Sequence, residues 1–409
     1  MKLLYRFVGM DEAVLKLQVD GKCNWIMENQ PEIWEKTEKI LMVSAFLNYR
    51  LTGTFVDSAA SQIGHIPFEY KKFRWAKQGE LSRRLFPVEE EKLPEIVEPG
   101  QIIGKVTRSA SETTGIPEGV PVIACGSDKG CETLGIGVVD ESMGSLSFGT
   151  TATVQTTTSR YFEPLKFMPP YPAPIPGRYN PEVQIYRGYW MISWFKNEFA
   201  RGEIEEARRT GTLPEELLNH LLGHVPPGCL GLMMQPYWTP GLRTPSARGA
   251  VLGFGDVHNR SYLYRAVIEG LGYALRDGKE KIEKAGKIHF ERMAVAGGAS
   301  QSDQICQITS DILGLECVRG ETYESSGLGA AVVTAAALGA YPDIPAACSA
   351  MVRYDRVFTP DPENAALYDR LYGVYGRIYP ALKGIYNELR DITRYPAFPG
   401  DSIQNGGSV

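Results

Sequence analysis

Short apolar runs that stop on glycine alternate along this chain with longer stretches of helical period. Residues 121–124 form one such run, fit for a buried strand. Gly126 and Ser127 break it, and Asp128 stands where the chain turns into a short helix closed by Gly135 or Gly137. A second strand over 145–148 runs into a Gly149-Thr150-Thr151 turn. Residues 293–296 predict another buried strand, ended by Gly297-Gly298. Ser300-x-x-Asp303 then has the form of a capping box opening a helix, with Ile305, Ile308, Ile312 and Leu313 on its core face. The clearest amphipathic helix covers 261–276, with Leu263, Val267, Leu271, Ala274 and Leu275 on one side. Residues 325–337 are rich in Ser, Gly and Ala and predict a helix with a small-residue face suited to close packing.

The remaining text is less periodic. Residues 1–20 are helix-like, and Pro31 at a first turn predicts an amphipathic helix running to Tyr49. The 57–61 segment predicts a short capped helix, and the acidic stretch 87–100 a surface connection. Seven prolines within 164–181 exclude a helix or a central strand. Tyr161, Phe162, Phe167 and Tyr171 make that excursion a packed cover or interface loop. Helical text resumes over 190–208, a strand is expected over 232–236, and a loop follows over 237–245. Residues 396–409 are polar and Gly-rich, as a disordered tail would be.

Composition narrows the function classes. The chain has 409 residues, 43% of them hydrophobic and 22% charged, the balance of a large globular protein of two domains. A net charge of −5 argues against a nucleic-acid binder. No apolar run approaches the ~18 residues of a membrane span, and no signal peptide opens the sequence. Seven cysteines without a C-x-x-C pair predict free thiols in a reducing cytoplasm. His220 and His224 are four apart but lack the H-E-x-x-H context of a zinc site. Neither G-x-x-x-x-G-K-[ST] nor G-x-G-x-x-G is present.

Two of the turns invite a chemical reading. Paired glycines between a strand and a helix N-terminus let backbone approach a ligand and leave N–H groups for an anion. A carboxylate at a strand–helix turn can act as a general base. On these residues alone, Asp128 as a helix N-cap and Gly149-Thr150-Thr151 as an ordinary turn is the simpler account.

Five blocks taken in order change that balance. They are residues 25–31 with Asn48-Tyr49-Arg50-Leu51-Thr52-Gly53; Gly126-Ser127-Asp128 with Leu134-Gly135-Ile136-Gly137; Leu146-Ser147-Phe148-Gly149-Thr150-Thr151; residues 245–253 with 264–270; and Gly297-Gly298-Ala299-Ser300 with 310–314 and 327–331. Together they resemble the FGGY family of carbohydrate kinases, the group containing xylulokinase and glycerol kinase. The resemblance implies an α/β fold of two ribonuclease H-like domains of the actin–hexokinase type, over residues 1–143 and 144–395, with ATP and a sugar or polyol in the cleft between them. It implies that Asp128 is the catalytic base and a contact of substrate and of magnesium. The Gly149, Thr150 and Thr151 turn would face the β- and γ-phosphates through N–H groups and a Thr hydroxyl, while Gly297, Gly298 and Ala299 would approach the adenosine and α-phosphate. Ser302 or Asp303 would lie near the nucleotide. Lys129 stands where relatives have an Asn or Gln that touches substrate.

One departure stands out. Family members open with Asp-x-Gly-Thr-Thr, which orients phosphate and magnesium, and no Asp-x-Gly-Thr occurs in this sequence. On that reading the first domain lacks opening strands, a segment on the order of a hundred residues. The expectation is then an exposed sheet edge, dimerisation through the first domain, and weak or no activity of this chain alone. A catalytically silent nucleotide- or sugar-binding protein is the alternative to an ATP-dependent kinase. The family-specific blocks disfavour a chaperone- or actin-like member of the same superfamily.

Overall fold

The structure, a computed structural model, describes residues 17–19, 21–166, 168–239, 241, 244 and 246–395. Outside them fall most of the first expected helix (1–16 and 20), Phe167, Pro240, Leu242, Arg243 and Pro245 of the expected loops, and the tail 396–409.

The helix expected over 31–49 is two helices, Pro31–Lys36 and α1 (Val43–Thr52). Lys92 accounts for the break. Its Nζ donates to the carbonyls of Trp34 (3.3 Å) and Thr37 (2.6 Å), and its own carbonyl accepts from the Ile40 amide at 2.7 Å. Tertiary partners satisfy backbone groups that a continuous helix would have used itself. α1 stops on Gly53 in the left-handed region, as a glycine C-cap does. In β1 (Val56–Ser58), Ser58 caps the expected short helix, a 3₁₀ turn over Ala59–Ser61. The acidic connection contains a strand, β2 (Glu95–Val97), which pairs parallel with β1. β3 (Pro121–Ile123) pairs antiparallel with Ile102–Lys105 and leads into α2 (Asp128–Gly135).

The remainder is built on a six-stranded mixed sheet. Its members in chain order are β4 (Met143–Phe148), β5 (Ala152–Gln155), β6 (Glu182–Ile185), β7 (Arg292–Ala296), β8 (Cys317–Gly320) and β9 (Tyr354–Phe358). They lie in the order β6-β5-β4-β7-β8-β9. The central strands β4, β7 and β8 are parallel, and β5, β6 and β9 run antiparallel to their inner neighbours. Both faces of the centre are buried, with the strand period of two sorting the side chains. Leu146, Phe148, Met293, Val295 and Cys317 join the larger core, under α3 (Arg260–Gly286) and α4 (Asp303–Leu313). Met143, Ala294, Ala296 and Val318 face the other way, with Ile136 and Val138.

On that second face α2 meets α5 (Ser325–Ala337) through the small residues the sequence singled out. A Cβ on Gly329 would stand 2.0 Å from the Cys131 carbonyl oxygen, and one on Gly135 would stand 1.9 Å from that of Ser325. The contact is backbone on backbone, so only glycine fits at either position. A final helix, α6 (Pro362–Thr393), packs Tyr368, Tyr375 and Ile378 into the larger core.

Other boundaries shift. The 190–208 stretch is two helices, Trp190–Phe199 and Arg201–Thr210, joined at a fully buried Ala200. The proline-rich excursion carries a two-residue ladder, Tyr171–Pro172 with Tyr179–Asn180. Its Ala173 and Ile175 are buried. All seven cysteines are free. Among the described residues, no helix is long and apolar enough to cross a membrane.

Candidate active site

Asp128 is the first residue of α2, and Ser127, not Asp128, is its N-cap: the Ser127 hydroxyl accepts from the Gly130 amide at 3.1 Å. This leaves the Asp128 carboxylate outside the helix, exposed, with Oδ1 accepting from the Lys129 amide at 2.7 Å. No ion pair engages it among the described residues. Its surroundings are fixed by backbone. Ser127 donates its amide to the Ala60 carbonyl (2.8 Å), and Ser58 Oγ donates to the Cys125 carbonyl (2.5 Å). A side chain at Gly126 would run into Pro174 at 2.7 Å. Ser326, at the start of α5, donates its hydroxyl to the Asp128 carbonyl at 3.1 Å.

The Gly149-Thr150-Thr151 turn joins β4 to β5 in an antiparallel hairpin, with Phe148 opposite Ala152. The Gly149 carbonyl accepts from the Tyr189 amide (3.0 Å), and Thr151 Oγ1 donates to the Tyr186 carbonyl (3.3 Å). Thr150 is exposed.

Gly297 ends β7 with φ +89 and ψ 169, a conformation that suits only glycine. A Cβ there would lie 2.9–3.1 Å from backbone atoms of Phe148 and Gly149, whereas a Cβ on exposed Gly298 would meet nothing within 4 Å. The expected capping box is corrected. Ser300 Oγ donates to the Gly297 carbonyl (2.6 Å), a 3₁₀ turn covers Gly298–Gln301, and Ser302 caps α4 by accepting from the Ile305 amide. The paired-glycine turn needs those extra residues before the chain can enter the helix. Asp303 follows at the first helical turn and is held by Arg319 (2.9 Å) and by Arg356. Ala299 is half-buried against the larger core.

The fold brings three of these segments together. β4 and β7 are parallel neighbours with Ser147 opposite Ala296, so the turns at Gly149 and Gly297 leave the same edge side by side. The crevice outside the carboxyl ends of parallel strands is where open α/β sheets bind ligands. Lys129, next to Asp128, reaches the same edge: its Nζ donates to Ser147 Oγ at 2.6 Å and pairs with Glu132 at 3.2 Å. Ser302 and Asp303 sit one short turn further on, their side chains engaged within the protein.

A buried polar chain beneath the site was not legible in the sequence. Thr133 on α2 donates to Gln155 Oε1 on β5 (2.6 Å), and the Gln155 amide donates to the carboxylate of Glu182 on β6, as does that of Gln184. Burial pushes the Glu182 carboxyl up from its usual range, against those two hydrogen bonds and the pull of Lys129. Glu182 follows the proline-rich excursion, so no local pattern marks it as a strand residue facing α2.

Among the described residues no group of three His, Cys, Asp or Glu could hold a metal by itself, His220 and His224 included. Magnesium, however, is commonly bound by one or two carboxylates together with substrate phosphates. The exposed carboxylate of Asp128, next to Lys129 whose Nζ reaches Ser147 below the Gly149 turn, fits that requirement. An open apolar groove of about 390 Å³ lies elsewhere, among Pro99, Ile175, Pro176, Val333, Ile344 and Pro345, and includes none of these residues.

Two family models match the chain: the N-terminal domain of the FGGY family of carbohydrate kinases over residues 18–135, and the C-terminal domain of the same family over 144–338. The chain is 31% identical over 353 residues to an uncharacterized sugar kinase, YgcE, of Escherichia coli, covering 85% of this chain and 68% of that protein. It is 29% identical to a xylulose kinase of Lactococcus lactis, over 90% of this chain and 72% of the relative. The crystal structure of a ligand-bound xylulose kinase from Lactobacillus acidophilus superposes with a TM-score of 0.77 at 22% identity, covering 90% of this chain and 73% of that one. That likeness shows the shared α/β fold, and with the two family models it bears out the expected fold of the actin–hexokinase type.

Proposed function

Because the chain belongs to the FGGY family of carbohydrate kinases, we propose that it transfers the γ-phosphoryl group of ATP to a hydroxyl of a sugar or polyol, with Asp128 as the base. The observation that carries this reading is the convergence at one sheet edge: Gly297 against the backbone of Phe148 and Gly149, and Lys129 reaching from Asp128 to Ser147. The two domains, 1–143 and 144–395, meet around that point.

Asp128 takes the proton of the acceptor hydroxyl as its oxygen attacks phosphorus in line. Exposure of the carboxylate, with Ser127 relieving it of the capping role, suits it to this. Gly149, Thr150 and Thr151 hold the β- and γ-phosphates through backbone N–H groups and the exposed Thr150 hydroxyl, since Thr151 Oγ1 is bonded to Tyr186. Gly297, Gly298 and Ala299 lie against the α-phosphate and adenosine, where the open face of Gly298 admits close approach. Ser302 and Asp303 shape that end of the site through the start of α4. Asp128 would also hold magnesium on the phosphates, where the ion supplies neutralisation of charge. The protein acts in the cytoplasm, where ATP and reduced thiols coexist.

The test is sugar-dependent ADP release by the full chain with ATP and magnesium, across ketoses, aldoses, polyols and sugar acids, beginning with D-xylulose. Release with one acceptor class supports the kinase. Nucleotide binding without release for any acceptor would replace it with the silent binding protein.

A further inference from the structure

We infer that Lys129 is a phosphate-binding cation of the transfer site rather than a contact of the sugar. The inference rests on the kinase reading above for the identity of the anion, but its geometry is independent. Lys129 is the second residue of α2, and its side chain folds back onto the sheet instead of continuing past Asp128 into solvent. Nζ lies 2.6 Å from Ser147 Oγ on β4, two residues before the Gly149 turn. A Cβ placed on Gly149 would stand 3.8 Å from that same Nζ. The ammonium therefore faces the glycine turn across one van der Waals contact. Ser147 is also opposite Ala296, the residue before Gly297, so the charge lies between the roots of both turns.

An ammonium has three donors, of which Ser147 and Glu132 use two. The side chain is about one-third exposed, while that of Glu132 is largely buried. Glu132 thus balances the charge from the protein side, and the third donor is available toward the turn. A cation held by partners on its far side is preorganised for an anion and needs little rearrangement to bind one. In the transfer step the acceptor oxygen forms a bond to phosphorus, and the bridging P–O bond breaks with its electron pair leaving on ADP. The proton passes to Asp128, and Lys129 keeps its own proton throughout while it meets the charge on the phosphoryl oxygens.

The experiment compares the affinities of ATP, ADP and AMP, with magnesium, for the full-length wild-type chain and for Lys129→Met, Lys129→Arg and Lys129→Met/Glu132→Gln. The expected result is a loss of ATP affinity of about 10–100-fold in Lys129→Met, the scale of a charge-assisted hydrogen bond. AMP affinity should be unchanged, and Lys129→Arg should recover most of the loss. The double variant distinguishes direct contact from repulsion by an unbalanced Glu132. Persistent loss of ATP affinity in it supports the inference, and recovery to the wild-type value overturns it. Equal ATP affinity in Lys129→Met, or a loss confined to sugar binding, would also overturn it. The thermal midpoint of Lys129→Arg checks folding. A wild-type chain that favours ATP over AMP but turns over no sugar would sink the kinase reading while leaving the Lys129 measurement decisive. A wild-type chain that binds no nucleotide would overturn both.

Discussion

Gly149 and Gly297 end neighbouring strands at the centre of a six-stranded sheet, where both faces are buried, whereas Asp128 opens an eight-residue helix fed by a three-residue strand of a two-stranded ladder. The first region has a continuous apolar core of aromatic and aliphatic side chains, and its turns are set by strand register. The second has smaller clusters behind it, one of which Leu134 of α2 shares with Val332 and Val333 of α5, and α1 leaves Val43, Phe46 and Leu47 exposed. Asp128 nevertheless keeps a defined place, because α2 is tied to the second domain both by helix packing and by side-chain hydrogen bonds to the large sheet. Gly135 and Gly329 lock it to α5, and Thr133 links it through Gln155 to Glu182. The difference teaches that the carboxylate is positioned less by the strand that precedes it than by contacts borrowed from the sheet carrying the phosphate turns. A base built this way shares one frame with those turns even though the chain reaches it from elsewhere.

The strongest way to break the comparison is Asp128→Asn. Loss of the base should lower kcat by about 10²–10⁴-fold. Affinity for ATP without magnesium, set by the glycine turns and Lys129, should stay within about twofold. An equal fall in ATP affinity, measured by calorimetry, would mean the two regions do not divide the work.

Next in size is the lock between α2 and α5. Gly329→Ala forces a methyl to 2.0 Å from the Cys131 carbonyl oxygen, so the helices must part. The expected cost is about 1–3 kcal/mol, read as a lower thermal midpoint. Gly327→Ala, two residues earlier on the same helix and facing open space, should instead be neutral or stabilise by up to about 1 kcal/mol from helix propensity. Equal midpoints for the two variants would remove the lock from the account.

Within the sheet region, the adjacent glycines should separate stability from binding. Gly297→Ala combines a positive φ with a close approach to the Phe148 and Gly149 backbone, and should cost about 1–3 kcal/mol from the backbone conformation alone. Gly298→Val has room and should leave the midpoint nearly unchanged while raising the KM for ATP and sparing that for sugar. A selective loss of sugar affinity in Gly298→Val would reverse the assignment of this turn.

The smallest effect concerns Glu182, buried under the junction. Burial raises its folded pKa above the ordinary carboxylate value of about 4.3. Its contribution to stability is therefore fully present below that value and is lost as pH rises through the folded pKa. Glu182→Gln lacks this loss, so denaturant titrations should show the variant gaining on the wild type as pH rises above the ordinary carboxylate value of about 4.3. A difference independent of pH would show that Glu182 does not change its protonation preference on folding.

The local pattern determined what local energetics control. Apolar runs ending on glycine marked β3, β4 and β7, and the small-residue stretch marked α5 as a close-packing helix. Strand and helix periods and the special conformations of glycine are properties of a few neighbouring residues, so a single sequence displays them. The ordered blocks carried the family as well. Tertiary structure decided the rest. Lys92 split the helix expected over 31–49 by taking backbone groups that periodicity assigns to a helix. Capping passed to Ser127 and Ser302, because the chain needs a different number of residues to leave each strand. Glu182 is linked to α2 only through Gln155 on the neighbouring strand, and Lys129 reaches Ser147 only because α2 packs back on the strand that follows it. Contacts of that kind depend on loop closure and on shared burial, which no window of neighbouring residues contains.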